Sequence, residues 1–357
     1  MVRDGPKLKS QSNHQNALDA DAQFKTLGWN KYFKDQVMST DISETPPVRI
    51  TQVHRSKLHV VGVNIDLKIP SLYDVAVGDW LLLNHKDPRS SKVLKRKSLL
   101  KRRAAGHDRR EQLIAANLDT TFIVSSCNDD FNLARLERYV AMTHEAGITP
   151  VIVLTKFDLN SDTTNFSLQA SKISEHVTVV NVDARNPSTK EHLAPWCKLG
   201  QTVAFLGSSG VGKSTLTNTL AGNPLIDTQA VREADNKGRH TTTSRQLHIV
   251  PQLCAVIDTP GMRELQLTDA ATGIKETFVD LHELEQNCRF NDCSHDHEPG
   301  CAVQAAITSG IIDAIRVNRW LKLVTEDQEN TKILAKRFSK ENATKDQFGG
   351  KQKYKQK

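Results

Sequence analysis

Apolar and polar positions follow three successive patterns along this chain. From Val48 to Leu83 they alternate, as in Val48-Arg49-Ile50-Thr51-Gln52-Val53, Leu58-His59-Val60 and the runs 63–69 and 77–83. Period-two runs separated by polar turns predict short strands with one buried face, in a small antiparallel sandwich or a five-stranded barrel of the oligonucleotide-binding (OB) type. From Leu118 the apolar runs become continuous, at 120–125, 150–154, 177–182, 202–206 and 253–257. Continuous runs suit parallel strands covered on both faces. Between the first two, Asn132 can cap a helix that buries Leu133, Leu136 and Val140 and stops at Gly147. Strands alternating with helices predict a mostly parallel, doubly wound sheet. Beyond 273 two stretches, 278–284 and 303–320, carry apolar residues at helical spacing. Phe278, Leu281 and Leu284, then Val303, Ile307, Ile311 and Ile315, read as the core of a small helical unit.

Composition adds a partner class. The chain has 357 residues and a formal net charge of +7. The excess is local: residues 86–103 hold nine Lys/Arg against one acid, and residues 332–357 hold nine against two. Clustered cations point to nucleic acid or another polyanion. No apolar run approaches the roughly 18 residues of a membrane span. A cytoplasmic monomer with reduced thiols and no membrane partner is expected.

The candidate chemistry centres on residues 207–214, GSSGVGKS, which follow an apolar strand and open a helical run. That context makes the match a phosphate loop. Amides of Gly207, Ser208, Ser209, Gly210, Val211 and Gly212, with the helix start through Ser214 and Thr215, can cradle phosphate oxygens. Lys213 reaches the terminal phosphates and Ser214 can ligate Mg²⁺. Asp258 and Gly261, in DTPG (258–261) at the end of another strand, can hold Mg²⁺ through water and face the last phosphate. Thr155-Lys156-Phe157-Asp158 also follows a strand. Its carboxylate can accept from both N1 and the 2-amino group of guanine, a donor pair that adenine lacks. In the hydroxyl-rich loop Gly238-Arg239-His240-Thr241-Thr242-Thr243, a threonine, with Thr242 the candidate, can complete the Mg²⁺ shell when a γ-phosphate is present. Near the C-terminus, Cys288, Cys293, His295 and Cys301 (C-x₄-C-x-H-x₅-C) offer three thiolates and an imidazole, a tetrahedral Zn²⁺ set without an open position. His297 or His282 could replace His295 as the nitrogen ligand.

Together these motifs resemble the translation-factor-like GTPases, but in permuted order. The guanine motif (155–158) precedes the phosphate loop (207–214), the Thr loop and DTPG. With alternating strands before the core and a Cys/His cluster after it, residues 46–320 closely resemble the ribosome small subunit-dependent GTPase A family of bacteria. The resemblance implies GTP hydrolysis, binding of the small ribosomal subunit and its rRNA, and release as GDP forms during late maturation. It implies Mg²⁺ with the nucleotide, one structural Zn²⁺ with His295 as ligand, and a guanine contact from the amide of Ala184. Asp183 stands where the family's usual serine precedes that alanine, and Thr155 where an Asn is commoner. Met262 occupies the place of the water-orienting Gln of many GTPases, so slow intrinsic turnover and partner activation are expected. His240 is the candidate for positioning the water; contact with the partner alone is the rival role. Two other functions compete: a GTP-gated RNA-binding protein with negligible catalysis, and a large-subunit assembly GTPase.

The expected division is a flexible extension (1–45), an OB-like β-barrel (46–90), a basic linker (91–117), a circularly permuted GTPase domain (118–272), a zinc-binding helical domain (273–330) and a flexible basic tail (331–357).

Overall fold

The structure, a computed structural model, describes residues 19–103, 111–157, 163–222, 224, 245–251, 253–259 and 267–353. The described residues open with a helix over 19–26 and a second, α1 (Lys31–Gln36), capped by the Asn30 side chain. Strands β1 (Pro47–Val53), β2 (Lys57–Gly62) and β3 (Ile65–Pro70) form an antiparallel meander. Strand β4 (Trp80–Leu82) pairs with the start of β1, and β5 (Lys92–Val93) with β4. Alternation places Val48, Ile50, Leu58, Val60, Ile69, Leu81 and Leu83 in one apolar cluster, as a half-buried sheet requires. No pairing joins β3 to β5 among the described residues.

The segment expected to be a linker is ordered sheet instead. Strands β6 (Leu99–Arg103) and β7 (Glu111–Ala116) form a two-stranded antiparallel sheet, with Leu100, Ile114 and Ala115 buried in the main core. The basic residues hid this from the sequence reading: Lys101 pairs across the sheet with Glu111 at 2.8 Å, on the face that the apolar residues leave to solvent. The N-terminal extension is likewise anchored from Leu27 to Val37. Leu27, Trp29, Phe33 and Val37 pack against Trp80, Leu82 and Leu94. Trp29 meets Trp80 edge-on at 4.6 Å between centroids, and burying such a ring contributes about 2–3 kcal/mol.

The central sheet is doubly wound, as expected. Strands β8 (Thr120–Ser126), β9 (Thr149–Thr155), β10 (Thr178–Asn181), β11 (Thr202–Leu206) and β13 (Ala255–Asp258) run parallel in the order β10-β9-β8-β11-β13. Strand β12 (Gln246–Ile249) is antiparallel at the edge, and Gln246 pairs with Gln52 of β1. That contact makes one eleven-stranded sheet of the two halves. One face of the parallel part packs on α2 (Leu133–Glu145), whose cap is the Asn132 side chain accepting from Arg135 N at 2.9 Å. The other face packs on α4 (Thr189–Leu193) and α5 (Lys213–Ala221). Helix α3 (Thr163–Ser171) lies between β9 and β10 in sequence.

Four helices follow: α6 (Ala271–Thr277), α7 (Val279–Glu285), α8 (Ala302–Thr308) and α9 (Ala314–Lys353). Phe278, Leu281, Val303, Val317, Trp320 and Leu323 join the same apolar cluster as α2. Ile311 and Ile315 do not. They are 75% and 63% exposed, because the buried stripe of α9 runs through Val317, Trp320 and Leu323 instead. Nor does the backbone change at 331. Residues 311–348 contain no Gly or Pro and many strong helix formers, so α9 runs on to Lys353.

Arg49 ties the layers together. It is fully buried, and its guanidinium donates to Leu27 O, to Gly78 O at 3.2 Å and to Thr202 Oγ1 at 2.8 Å, over the Trp80 ring. Gly200 N adds a bond to Lys25 O at 3.0 Å. Gly28, at φ +84°, must lack a side chain, since a Cβ there would lie 2.1 Å from Arg49 Nη1. Arg49→Met would leave these acceptors unpaired. A loss of about 3–5 kcal/mol, read as a lower urea midpoint, is expected.

Candidate nucleotide and metal sites

Strands β8 and β11 are neighbours, yet the chain leaves them in opposite directions across the sheet. The crevice at their carboxyl ends is where open α/β sheets bind ligands. The sequence-predicted loop occupies it. Gly207 has φ +146°, and a Cβ there would meet Val124 O at 2.3 Å. Only glycine lets the loop leave β11 so close to β8. Gly212, at φ +103°, starts α5, and no side chain caps that helix. Its first-turn amides are left for a ligand, and the helix dipole favours an anion there. Ser209 and Gly210 are exposed, Val211 is buried, and Ser214 and Thr215 are half-buried.

Lys213 is buried, and its ammonium donates to Gly207 O at 3.0 Å and Ser208 O at 2.7 Å. Burial pulls its pKa down to about 8, against the attraction of Asp258. Asp258 closes the neighbouring strand β13. Burial pushes its carboxyl up to about 6, against Lys213 and a bond from Thr259 N, and its Oδ1 is buried without a partner. A buried carboxylate oxygen with no partner fits a hydrated Mg²⁺ beside a phosphate. Thr259 Oγ1 donates to Phe205 O at 2.5 Å, joining this strand end to β11.

The guanine-motif strand is bolted to the loop. Thr155 Oγ1 donates to Val211 O at 2.7 Å, so the residue that departs from the commoner Asn still connects the two motifs. Lys156 follows in left-handed conformation, at φ +57°. Ala184 lies on the loop's other flank. Its carbonyl accepts from Thr219 Oγ1 of α5 at 2.6 Å, and its Cβ sits 3.6 Å from where a Gly212 Cβ would be. Asp183 accepts from Arg185 N at 2.9 Å and so shapes the turn from its side chain. Asp158, His240, Thr242, Gly261 and Met262 lie outside the described residues.

One neighbour was not legible in the motifs. Arg135, in the first turn of α2, donates to the buried Ser208 Oγ and holds Asp130 at 3.0 Å. No local pattern links positions 73 residues apart.

The Cys/His cluster is assembled. Sγ of Cys288 and Sγ of Cys301 each lie 3.6 Å from His295 Nδ1 and 3.9 Å from one another. With Cys293, all four donor atoms fall within 4.8 Å. A tetrahedral ion with metal–sulfur bonds of about 2.3 Å needs donor spacings of about 3.8 Å, so the set could hold one metal ion. The two alternative histidines are placed elsewhere: His282 pairs with Glu285, and His297 is 90% exposed. His295, at φ +60°, turns its Nε2 towards Glu285 Oε2 at 3.8 Å and lies beside Trp320.

The Lys213 and Asp258 values set a pH window for ligand capture. Below about pH 6 Asp258 takes up a proton, and above about 8 Lys213 loses one. Affinity of the free protein for Mg²⁺–GTP is expected to be greatest between those limits and to fall on both sides, measured by fluorescent-nucleotide titration.

Comparisons with known proteins agree with this geometry. The RsgA GTPase family matches residues 93–268. The small ribosomal subunit biogenesis GTPase RsgA of Mesorhizobium japonicum is 49% identical over 315 residues, covering 86% of this chain and 90% of that one. The small ribosomal subunit biogenesis GTPase RsgA 2 of Vibrio vulnificus is 46% identical, over 87% of this chain and 89% of that one. Among solved structures, YjeQ from Thermotoga maritima has a TM-score of 0.57 at 24% identity, over 78% of this chain and 97% of that one. YloQ, a circularly permuted GTPase, has a TM-score of 0.53 at 22% identity, over 80% of this chain and 96% of that one. The permuted order read from the motifs is thus matched in fold, and at the identity of its relatives the chain belongs to the RsgA GTPase family.

Proposed function

We propose that this protein hydrolyses GTP to GDP and phosphate on the small ribosomal subunit, as a late maturation factor that leaves after hydrolysis. The observation that carries the reading is the convergence of three strand ends. The loop after β11 bears the buried Lys213, β13 ends on Asp258 with its unpaired oxygen, and β9 ends on Thr155 bonded to the loop. Relatives 46–49% identical carry the name of a small-subunit biogenesis GTPase.

In this reading, loop amides 207–215 and the uncapped start of α5 hold the β-phosphate, and Lys213 shifts from its carbonyls towards the terminal phosphates. Ser214 and Thr242 ligate Mg²⁺, which Asp258 holds through water. Asp158 selects guanine, with Lys156 along the base and the Ala184 amide beside it. Gly261 faces the γ-phosphate. Met262 supplies no donor, so turnover is slow until binding of the subunit lets His240 position the attacking water. Cys288, Cys293, His295 and Cys301 hold one structural Zn²⁺ that staples the turn between α7 and α8. The N-terminal strands, the zinc unit and the basic C-terminal segment flank the GTPase core and grip rRNA. The protein works in the cytoplasm, as a monomer.

GTP turnover with and without purified small subunits, with ATP as control, tests this. Stimulation by small subunits and inertness to ATP are expected. His240→Ala should lower stimulated turnover by about 10²-fold and leave GTP affinity unchanged. Large-subunit stimulation, or equal turnover of ATP, would overturn the reading. Metal analysis of the same preparation should give one zinc per chain, lost in Cys293→Ser with a fall in thermal stability.

A further inference from the structure

Arg135 is a cation in the wrong place for its own helix. It sits in the first turn of α2, where the helix dipole is positive and a guanidinium is unfavourable by a few tenths of a kcal/mol. What holds it there lies outside the helix. Asp130, in the loop before α2, accepts from Nη1 through Oδ1 at 3.0 Å and Oδ2 at 3.1 Å. The same nitrogen donates to Ser208 Oγ. Ser208 is the second residue of the phosphate loop and is 3% exposed, so its hydroxyl has no water to fall back on.

Ser208 is gripped from a second direction. Its carbonyl accepts from the Lys213 ammonium at 2.7 Å. Side chain and carbonyl belong to one residue, so Arg135 and Lys213 together fix the orientation of the peptide that leads into the amides of the exposed Ser209 and Gly210. Those are the amides a β-phosphate would meet. The carboxylate of Asp130 neutralises the guanidinium, so Arg135 acts on the loop as an oriented donor and leaves the charge at the phosphates to Lys213.

We propose that Arg135, aimed by Asp130, is a positioning residue of the phosphate loop: its bond to Ser208 Oγ pre-sets the amide cradle before nucleotide arrives. This rests on the loop's role as the β-phosphate cradle. GDP and GTP both carry a β-phosphate, so the contribution is the same for both.

The test is titration of the full chain with fluorescent GDP and GTP, in Arg135→Ala, Ser208→Ala and the double variant. Each single change is expected to weaken both nucleotides about tenfold, and the double variant to be no more than about twofold weaker than either, because both remove one bond. Additive losses, a loss confined to GTP, or unchanged affinity in Ser208→Ala would overturn the assignment. Ser208→Ala also guards against a fold defect in Arg135→Ala. Its urea midpoint should match the parent protein while its affinity falls, and a midpoint falling in step with affinity would overturn the proposal. Lys213→Ala separates the two levels: if it binds nucleotide as the parent does, the loop is not the phosphate site, whatever Arg135 does.

Discussion

The inner strands of the central sheet are covered on both faces, and that constraint decides where chemistry can sit. Every residue of β11 and β13 is buried, and so is every residue of β8. A polar group in mid-strand would have to leave water without a partner. Polar and glycine positions therefore gather where the strands run out, at Ser126, Thr155, Gly207 and Asp258. The sheet fixes these ends in space whatever order the chain visits them. A permuted chain can thus assemble the same crevice, with β8, β9 and β10 made first and the phosphate loop second.

Buried charge is used sparingly and always with direction. Glu137, wholly buried in α2, faces Arg319 of α9 through bonds of 2.7 and 2.9 Å, and burial pushes its carboxyl up against that attraction. The next residue, Arg138, reaches Glu326, which also accepts from Leu267 N at 3.2 Å. Asp327 takes Ala270 N at 2.9 Å, Asn330 donates to Leu267 O at 2.8 Å, and Thr331 takes Asp269 N at 3.1 Å. Helix α9 thereby grips the chain shortly after DTPG. Helix α2 is the common shaft, with Arg135 against the phosphate loop at one end and Gly273 of α6 against its backbone at the other.

The candidate site is legible along the chain where local chemistry suffices. Glycine spacing with Lys213, a carboxylate closing an apolar run at Asp258, and four metal-binding side chains within fourteen positions are all local patterns, and the structure assembles the described members of each. Burial is not legible where it depends on a distant partner. Leu100 and Ile114 are covered by residues of the main core, and Trp29 by Trp80, so neither segment announces its burial in its own composition. Ile311 and Ile315 show the reverse. Their spacing is helical, but the stripe that meets α2 lies further along the helix. Arg49 alternated with apolar neighbours as if it faced solvent. Its four acceptors, Leu27 O, Gly78 O, Asn117 O and Thr202 Oγ1, are invisible along the chain.

The Arg49 junction also sets a timetable for synthesis. Residues 25–29 leave the ribosome early, yet the Gly200 N–H that donates to Lys25 O, and the Thr202 hydroxyl that completes the Arg49 cluster, follow only some 175 residues later. At translation speeds of about 5–20 residues per second that is a wait of about 10–35 s. Through that interval the segment has the Arg49 bond to Leu27 O and the contacts of Trp29 and Phe33 with Trp80, but not the Gly200 bond. A segment made early is thus fully fastened only when the central sheet reaches β11.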